Sequence, residues 1–266
     1  MVDDRQWQRG ERRGRPASGG WSGPGRARPA QPQRAARRDA QGDRAPQDGP
    51  PIPPGVEAKQ LAPDIRRELS TLDRATADAV ARHLVAAGEL LDEDPEAALS
   101  HARAARARSS RLATIREAVG IAAYHCGDWS QALAELRAAR RMGSKSPLLA
   151  LIADCERGLG RPERAIELAR GPEAAELSGD DADELRIVAA GARADLGQLE
   201  QALTVLSTPQ LDPGRTGTTA ARLFYAYADT LLALGRGDEA LQWFLHSAAA
   251  DVDGVTDAED RVSELG

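Results

Sequence analysis

A short pattern recurs five times between residues 93 and 241 of this chain. An alanine followed by leucine or isoleucine stands five residues after a turn residue, which is glycine in four of the five copies. The intervals between successive alanines are 34, 33, 37 and 38 residues. The five dipeptides are Ala98-Leu99, Ala132-Leu133, Ala165-Ile166, Ala202-Leu203 and Ala240-Leu241. A period near 34 residues predicts a solenoid of stacked helix-turn-helix units.

Each part of the pattern has a physical role. Two antiparallel helices pack closely only where one of them presents a small side chain, and alanine fills that place without leaving a cavity. Glycine adopts positive φ without strain, which a tight reversal at a helix C-terminus commonly requires. The turn residues are Glu93, Gly127, Gly160, Gly197 and Gly235. Because one unit cannot bury its apolar face alone, we expect the units to stack and share a core.

The second copy carries the most complete pattern, and the fifth carries nearly as much of it. The second comprises Val119, Gly120, Tyr124, Gly127, Asp128, Trp129, Ala132, Leu133, Leu136 and Ala139. The fifth comprises Phe224, Tyr227, Leu231, Gly235, Asp238, Ala240, Leu241 and Phe244. Both resemble the tetratricopeptide repeat (TPR), in which a Leu-Gly pair and an aromatic residue precede a Gly-Asp-aromatic turn and an alanine-rich second helix. The Arg- and Ala-rich composition is similar to that of actinobacterial members of the family.

The resemblance implies an all-α fold: a right-handed superhelical solenoid of about five stacked antiparallel helix pairs over residues 78–250. Residues 61–77 are expected to form an N-terminal capping helix, since Pro63 opens a segment with apolar residues at helical spacing. Residues 251–266 are expected to form a C-terminal capping helix. The capping-box pattern of Thr256-Asp257-Ala258-Glu259 would begin that helix.

The first 60 residues have a different composition from the rest of the chain. Gly, Pro, Gln and Arg dominate, and aliphatic residues larger than alanine are nearly absent. Such a segment cannot bury enough apolar surface to offset its ordering entropy, so we predict a disordered arm over residues 1–60. The arm carries twelve basic and seven acidic residues. Its boundary is expected in the proline-rich run at residues 49–55.

Basic residues also concentrate in part of the repeat region. Residues 99–145 hold nine basic and three acidic residues, whereas residues 146–266 hold ten basic and twenty-two acidic residues. Five arginines fall on the second helices of the first two units: Arg103, Arg106, Arg137, Arg140 and Arg141. They form either an ordinary solvated face or a basic patch for an acidic partner, a nucleic acid or the acidic end of another copy.

Patterns typical of catalytic, cofactor or metal sites are not found in the sequence. The four histidines have no partner at metal-ligand spacing, and the chain has no phosphate-binding glycine loop or nucleophile elbow. The two cysteines, Cys126 and Cys155, are interpreted as reduced core residues instead of a disulfide or a metal pair. With no signal-peptide pattern and no long apolar run, we expect a cytoplasmic protein without enzymatic activity, cofactor or membrane contact.

Binding is therefore the expected activity, and the TPR resemblance implies a concave groove lined by the first helices of the units. The residues placed there are His83, Glu117, Tyr124, Asp154, Arg157, Glu184, Asp195, Arg222, Tyr225 and Asp229. Each of them is alternatively a solvated or core residue. Repeats that hold chaperone C-terminal carboxylates use a Lys and Asn clamp. The comparable positions here hold His83, Ala87, Glu117 and Asp154, none of which is Lys or Asn. This disfavours a chaperone tail as the ligand and favours a mixed-charge or cationic peptide.

Two function classes follow from these patterns. The first is a protein-protein interaction scaffold or adaptor that binds a partner protein or peptide in the groove, with self-association as a further option. The second is a nucleic-acid-associated factor, in which the basic arm and the basic convex face contact phosphates without reading sequence.

Overall fold

The computed structural model describes residues 49–266, and within this range the chain is all-helical with no strand. Its α-helices are α1 (Pro63–Leu69), α2 (Arg74–Glu89), α3 (Pro95–Arg108), α4 (Ala113–His125), α5 (Trp129–Arg141), α6 (Leu149–Gly158), α7 (Pro162–Ala169), α8 (Gly179–Asp195), α9 (Leu199–Leu206), α10 (Thr218–Ala233), α11 (Gly237–Ala250) and α12 (Ala258–Leu265). Two 3-10 turns lie at Ala58–Gln60 and Ala174–Glu176.

The helices from α2 to α11 are joined in pairs by short turns, so that they form five αα-hairpins, numbered 1 to 5 along the chain. Every helix packs against its successor from α1 to α12. The first helices of the hairpins also contact one another at α2 with α4, α6 with α8, and α8 with α10. The five repeated alanines lie on the second helices of the hairpins, and all five are fully buried.

Four of the hairpin turns share one hydrogen-bond arrangement. Gly127, Gly160, Gly197 and Gly235 have φ between 70° and 77°. In the first of these turns, Gly127 N donates to Tyr124 O and Asp128 N donates to Ala123 O. The same two bonds recur in the other three turns. This is the Schellman arrangement, which satisfies carbonyls that a helix end otherwise leaves unpaired.

Hairpin 1 turns without glycine. Asp94 begins α3 as its N-cap, with its carboxylate accepting a hydrogen bond from Ala97 N at 3.0 Å, and Pro95 follows at the first helical position. The end of α2 is closed by other backbone bonds, in which Leu90 N donates to Ala86 O at 3.1 Å and Asp94 N donates to Leu90 O at 2.8 Å. The cap and the proline of fixed φ then start α3.

Both ends of the described chain differ from the sequence-based expectation. Disorder was predicted for residues 1–60. Residues 1–48 lie outside the described residues, and the prediction is wrong for residues 49–60. Val56 is buried in the same apolar cluster as residues of α2 and α4, and residues 58–60 form a 3-10 turn against α2.

At the C-terminal end, the predicted capping box at Thr256 does not form. Asp251 instead accepts hydrogen bonds from the Thr256 amide and hydroxyl at 2.7 and 2.6 Å.

His83 belongs to the core of hairpin 1. Only 2% of its surface is exposed, and its Nδ1 lies 3.0 Å from Nδ1 of the buried His101 on α3. A hydrogen bond at this distance requires one ring to donate and the other to accept, so two protonated rings are incompatible with it. The placement of His83 in an open groove is therefore wrong.

The turn glycines predict a simple stability test. Gly160→Ala forces a Cβ onto a residue with φ near 71°, although no atom lies within 4 Å of that Cβ. We expect a loss of about 1–2 kcal/mol in unfolding free energy from backbone strain alone. The control is Gly237→Ala at the start of α11, which also has no atom within 4 Å but no positive φ. Urea unfolding should show Gly237→Ala neutral or about 0.5 kcal/mol stabilising; equal effects would contradict the backbone argument.

The histidine pair predicts acid sensitivity in mildly acidic solution. Burial, together with repulsion by Arg108 and His101, lowers the pKa of His83 from 6.5 to about 4. Between these values the unfolded chain binds a proton that the folded chain does not, so stability falls as pH decreases through that window. We expect about 2 kcal/mol less unfolding free energy at pH 5 than at pH 7 from this residue.

His83→Asn tests this assignment, because an amide can hydrogen-bond to His101 but does not titrate. Urea unfolding at pH 7 and pH 5 should show a smaller difference for this variant than for the wild-type chain. An unchanged difference would assign the acid sensitivity to other groups.

Candidate functional site

A chain of polar contacts crosses three first helices. Tyr124 on α4 donates its hydroxyl to Asp154 Oδ2 on α6 at 2.5 Å. Arg157, one turn further along α6, donates from Nη1 to Asp154 Oδ1 at 2.7 Å and from Nε to Asp195 Oδ2 on α8 at 2.8 Å. The side chains of Asp154, Arg157 and Asp195 are only 20–28% exposed. Four of the predicted groove residues are thus brought together as one network.

The network shifts the pKa values of Tyr124 and Arg157. Burial, and then the carboxylate of Asp154, raise the pKa of Tyr124, so its phenol stays protonated and donates. Burial alone would lower the pKa of Arg157, but its contacts with Asp195 and Asp154 raise it overall. Each carboxylate already accepts hydrogen bonds from within the chain. These groups therefore connect α4, α6 and α8 within the chain.

Two glycines leave the space that this network needs. A Cβ on Gly191 of α8 would lie 2.9 Å from Cζ of Arg157, so glycine lets the guanidinium pass over α8 toward Asp195. A Cβ on Gly158 would lie 2.5 Å from the Trp129 ring. That ring packs edge-on against Tyr124, with centroids 5.2 Å apart. Trp129, Asp154, Arg157 and Asp195 line an open pocket of about 580 Å³.

The other five predicted groove residues, apart from the buried His83, have polar partners of their own. Glu117 on α4 accepts hydrogen bonds from the hydroxyls of Ser144 and Ser146 at 2.7 and 2.6 Å, which ties down the loop after α5. Glu184 on α8 accepts from Arg222 on α10 at 3.0 Å. Burial, followed by a hydrogen bond with Asp257, raises the pKa of Tyr225. Asp229 lies 3.6 Å from Arg261 of α12.

Most of the predicted basic patch is paired within the chain. Arg103 contacts Gln131 and lies 3.7 Å from Asp128, and Arg106 is paired with Glu135. Arg137 lies 2.6 Å from Glu156 and Arg140 lies 2.7 Å from Glu173. These four arginines do not form a free basic surface. Arg141 is exposed.

Within residues 49–266, three buried carboxylates each contact two arginines, and the sequence analysis missed all three. Glu135 contacts Arg106 of α3 and Arg116 of α4. Glu156 contacts Arg137 of α5 and Arg161 in the next turn. Asp183 contacts Arg186 of α8 and Arg215 of the linker before α10 at 2.6 Å each. A buried carboxylate needs such partners, since without them its charge would be buried and uncompensated. The available signal was an acidic residue on an otherwise apolar helix stripe, as at Glu135 beside Leu136.

Both cysteines of the described range are free thiols. Cys155 is buried, which raises the pKa of its thiol to about 12, and Cys126 is half-buried; neither is in a disulfide. No group of three His, Cys, Asp or Glu side chains in residues 49–266 is arranged to hold a metal ion. In the same range no helix combines the length and apolar character needed to cross a membrane.

Comparison with known proteins gives no family assignment, because no protein-family model and no curated protein matches the chain.

The close approach of Arg157 to Gly191 predicts an energetic coupling between Gly191 and Asp195, which a double-mutant cycle can measure. In the wild-type background, Asp195→Ala should cost about 1 kcal/mol by removing the Arg157 contact. Gly191→Ala pushes Arg157 away from Asp195, so Asp195→Ala should cost almost nothing in that background. Urea unfolding of the four chains should give a coupling energy near 1 kcal/mol. Additive effects would show that Gly191 does not position Arg157.

Proposed function

We propose that this chain is a non-enzymatic interaction scaffold whose five hairpins stack as a right-handed, TPR-like superhelical solenoid. Four hairpins with the same glycine turn, the same buried alanine and contacts between successive first helices support this arrangement. Stacked hairpins of this kind present extended binding surfaces. The partner is proposed to be an extended peptide or a segment of another protein that lies along the first helices.

The accessible charges of α10 are the observation that carries this proposal. Arg222, Tyr225 and Asp229 recur at three- and four-residue spacing, so they share one face of that helix. The side chains of Arg222 and Asp229 are 47% and 61% exposed. A face with one cation, one anion and a phenol suits a mixed-charge peptide. Arg222 and Asp229 also have partners in the free chain, Glu184 and Arg261, but their side chains are more exposed than the 20–28% of Asp154, Arg157 and Asp195. We therefore place the main ligand contacts on α10.

Selection of peptides from a display library against the full chain tests this function. Peptides that bind the wild-type chain should lose about tenfold in affinity for Asp229→Lys, because a basic ligand group then meets a like charge. Charge reversal by Arg222→Glu should weaken the same peptides through their acidic groups. The matched control is Glu200→Lys, an exposed carboxylate on the second helix α9.

The control should retain wild-type affinity for the selected peptides. If Glu200→Lys weakens them as much as Asp229→Lys does, the effect comes from net charge and the binding face is wrong. If no peptide distinguishes the chain from an unrelated helical protein, the scaffold function itself fails.

A further inference from the structure

Arginines converge on a second cavity, on the side of the chain formed by second helices. This cleft has a volume of about 500 Å³ and is bounded by α5, the end of α6, α7 and the loop after α7. Arg137 and Arg140 enter it from α5, and Arg161 and Arg164 enter it from the start of α7. Three glutamates, Glu156, Glu167 and Glu173, also line the cleft. Four arginines against three glutamates leave one positive charge in excess.

The ion pairs of the cleft form an inner and an outer layer. In the inner layer, Glu156 is only 3% exposed and contacts both Arg137 at 2.6 Å and Arg161 at 3.4 Å. This buried carboxylate fixes the two guanidinium groups, since releasing them would leave its charge uncompensated.

The outer layer consists of two exposed pairs. Arg140 lies 2.7 Å from Glu173, and Arg164 lies 2.6 Å from Glu167. The side chains of these four residues are 39–67% exposed. Pairs between exposed groups contribute little to stability, so both arginines can turn to another anion at low cost.

We propose that this cleft binds the oxyanion of a phosphoryl or sulfate group. The planar guanidinium fork matches such an anion with two parallel hydrogen bonds, and four forks surround one small volume. The volume lies within the usual range for small-ligand sites. On binding, Arg137 and Arg161 stay on Glu156 and offer their remaining N–H groups, while Arg140 and Arg164 exchange their exposed glutamates for the ligand. The site lies on second helices and does not depend on the peptide face of α10.

Titration calorimetry of the full chain with inorganic phosphate, and separately with a phosphoserine peptide, tests this site. Saturable binding is expected for both probes. Arg140→Gln and Arg164→Gln should each weaken binding about tenfold, the usual effect of losing one charged hydrogen bond. Glu167→Gln should have the opposite effect and tighten binding, because it releases Arg164.

The matched control is Arg236→Gln. Arg236 pairs with Glu239 at 2.7 Å across three residues, as Arg164 does with Glu167, but it lies at the start of α11, outside the cleft. Its loss should leave phosphate affinity unchanged, and circular dichroism checks that each variant stays folded. Absence of saturable binding by the folded wild-type chain, weaker binding by Glu167→Gln, or an equal loss in the control overturns the proposal. A tighter complex with the peptide than with phosphate identifies a phosphorylated partner as the source of the oxyanion, and equal affinities identify the free ion.

Discussion

Close approach of helix backbones, permitted by alanine and glycine where helices meet, is the constraint on which the other contacts depend. A Cβ on Gly120 of α4 would stand 2.7 Å from the Leu136 side chain on α5, and Ala132 is fully buried in the same hairpin. Larger side chains at these points would separate the helices or force the core to repack. The short turns then follow, because helices this close need a sharp reversal between them.

Polar contacts form a second level that depends on the first. Once the small residues set the spacing, side chains from neighbouring helices come within hydrogen-bond distance of one another. The Tyr124, Asp154, Arg157 and Asp195 network spans α4, α6 and α8, and Glu135 joins α3, α4 and α5. Hydrogen bonds to charged groups inside a folded chain are stronger than those between neutral groups. The close spacing of the helices thus permits both their apolar packing and the charged contacts between neighbouring helices.

The sequence predicts the all-helical class and the hairpin turns because these are local properties. Gly127 and Ala132 stand at fixed distances along the chain, and the conformation each requires can be deduced from its residue type. The pairing of His83 with His101 could not be deduced in this way, since eighteen residues separate them and their contact depends on the angle between α2 and α3. The sequence left Arg106 either on a solvated face or in a basic patch, because only the packed structure brings Glu135 beside it. The burial of Val56 could not be deduced either. It lies in a proline-rich segment, and it is buried because that segment packs against α2.

The buried carboxylates limit how freely this chain could gain or lose repeats. In an array of interchangeable units, deleting one hairpin removes its own contacts and leaves the neighbours intact. Here Glu135 of hairpin 2 neutralises an arginine of hairpin 1, and Asp183 of hairpin 4 holds the linker that leads into hairpin 5. Excising hairpin 2 would therefore remove Arg137 and leave Arg161 as the remaining arginine contact of the buried Glu156 in hairpin 3. Neighbouring hairpins thus share the charge compensation of their buried carboxylates, so one hairpin is not freely interchangeable with another.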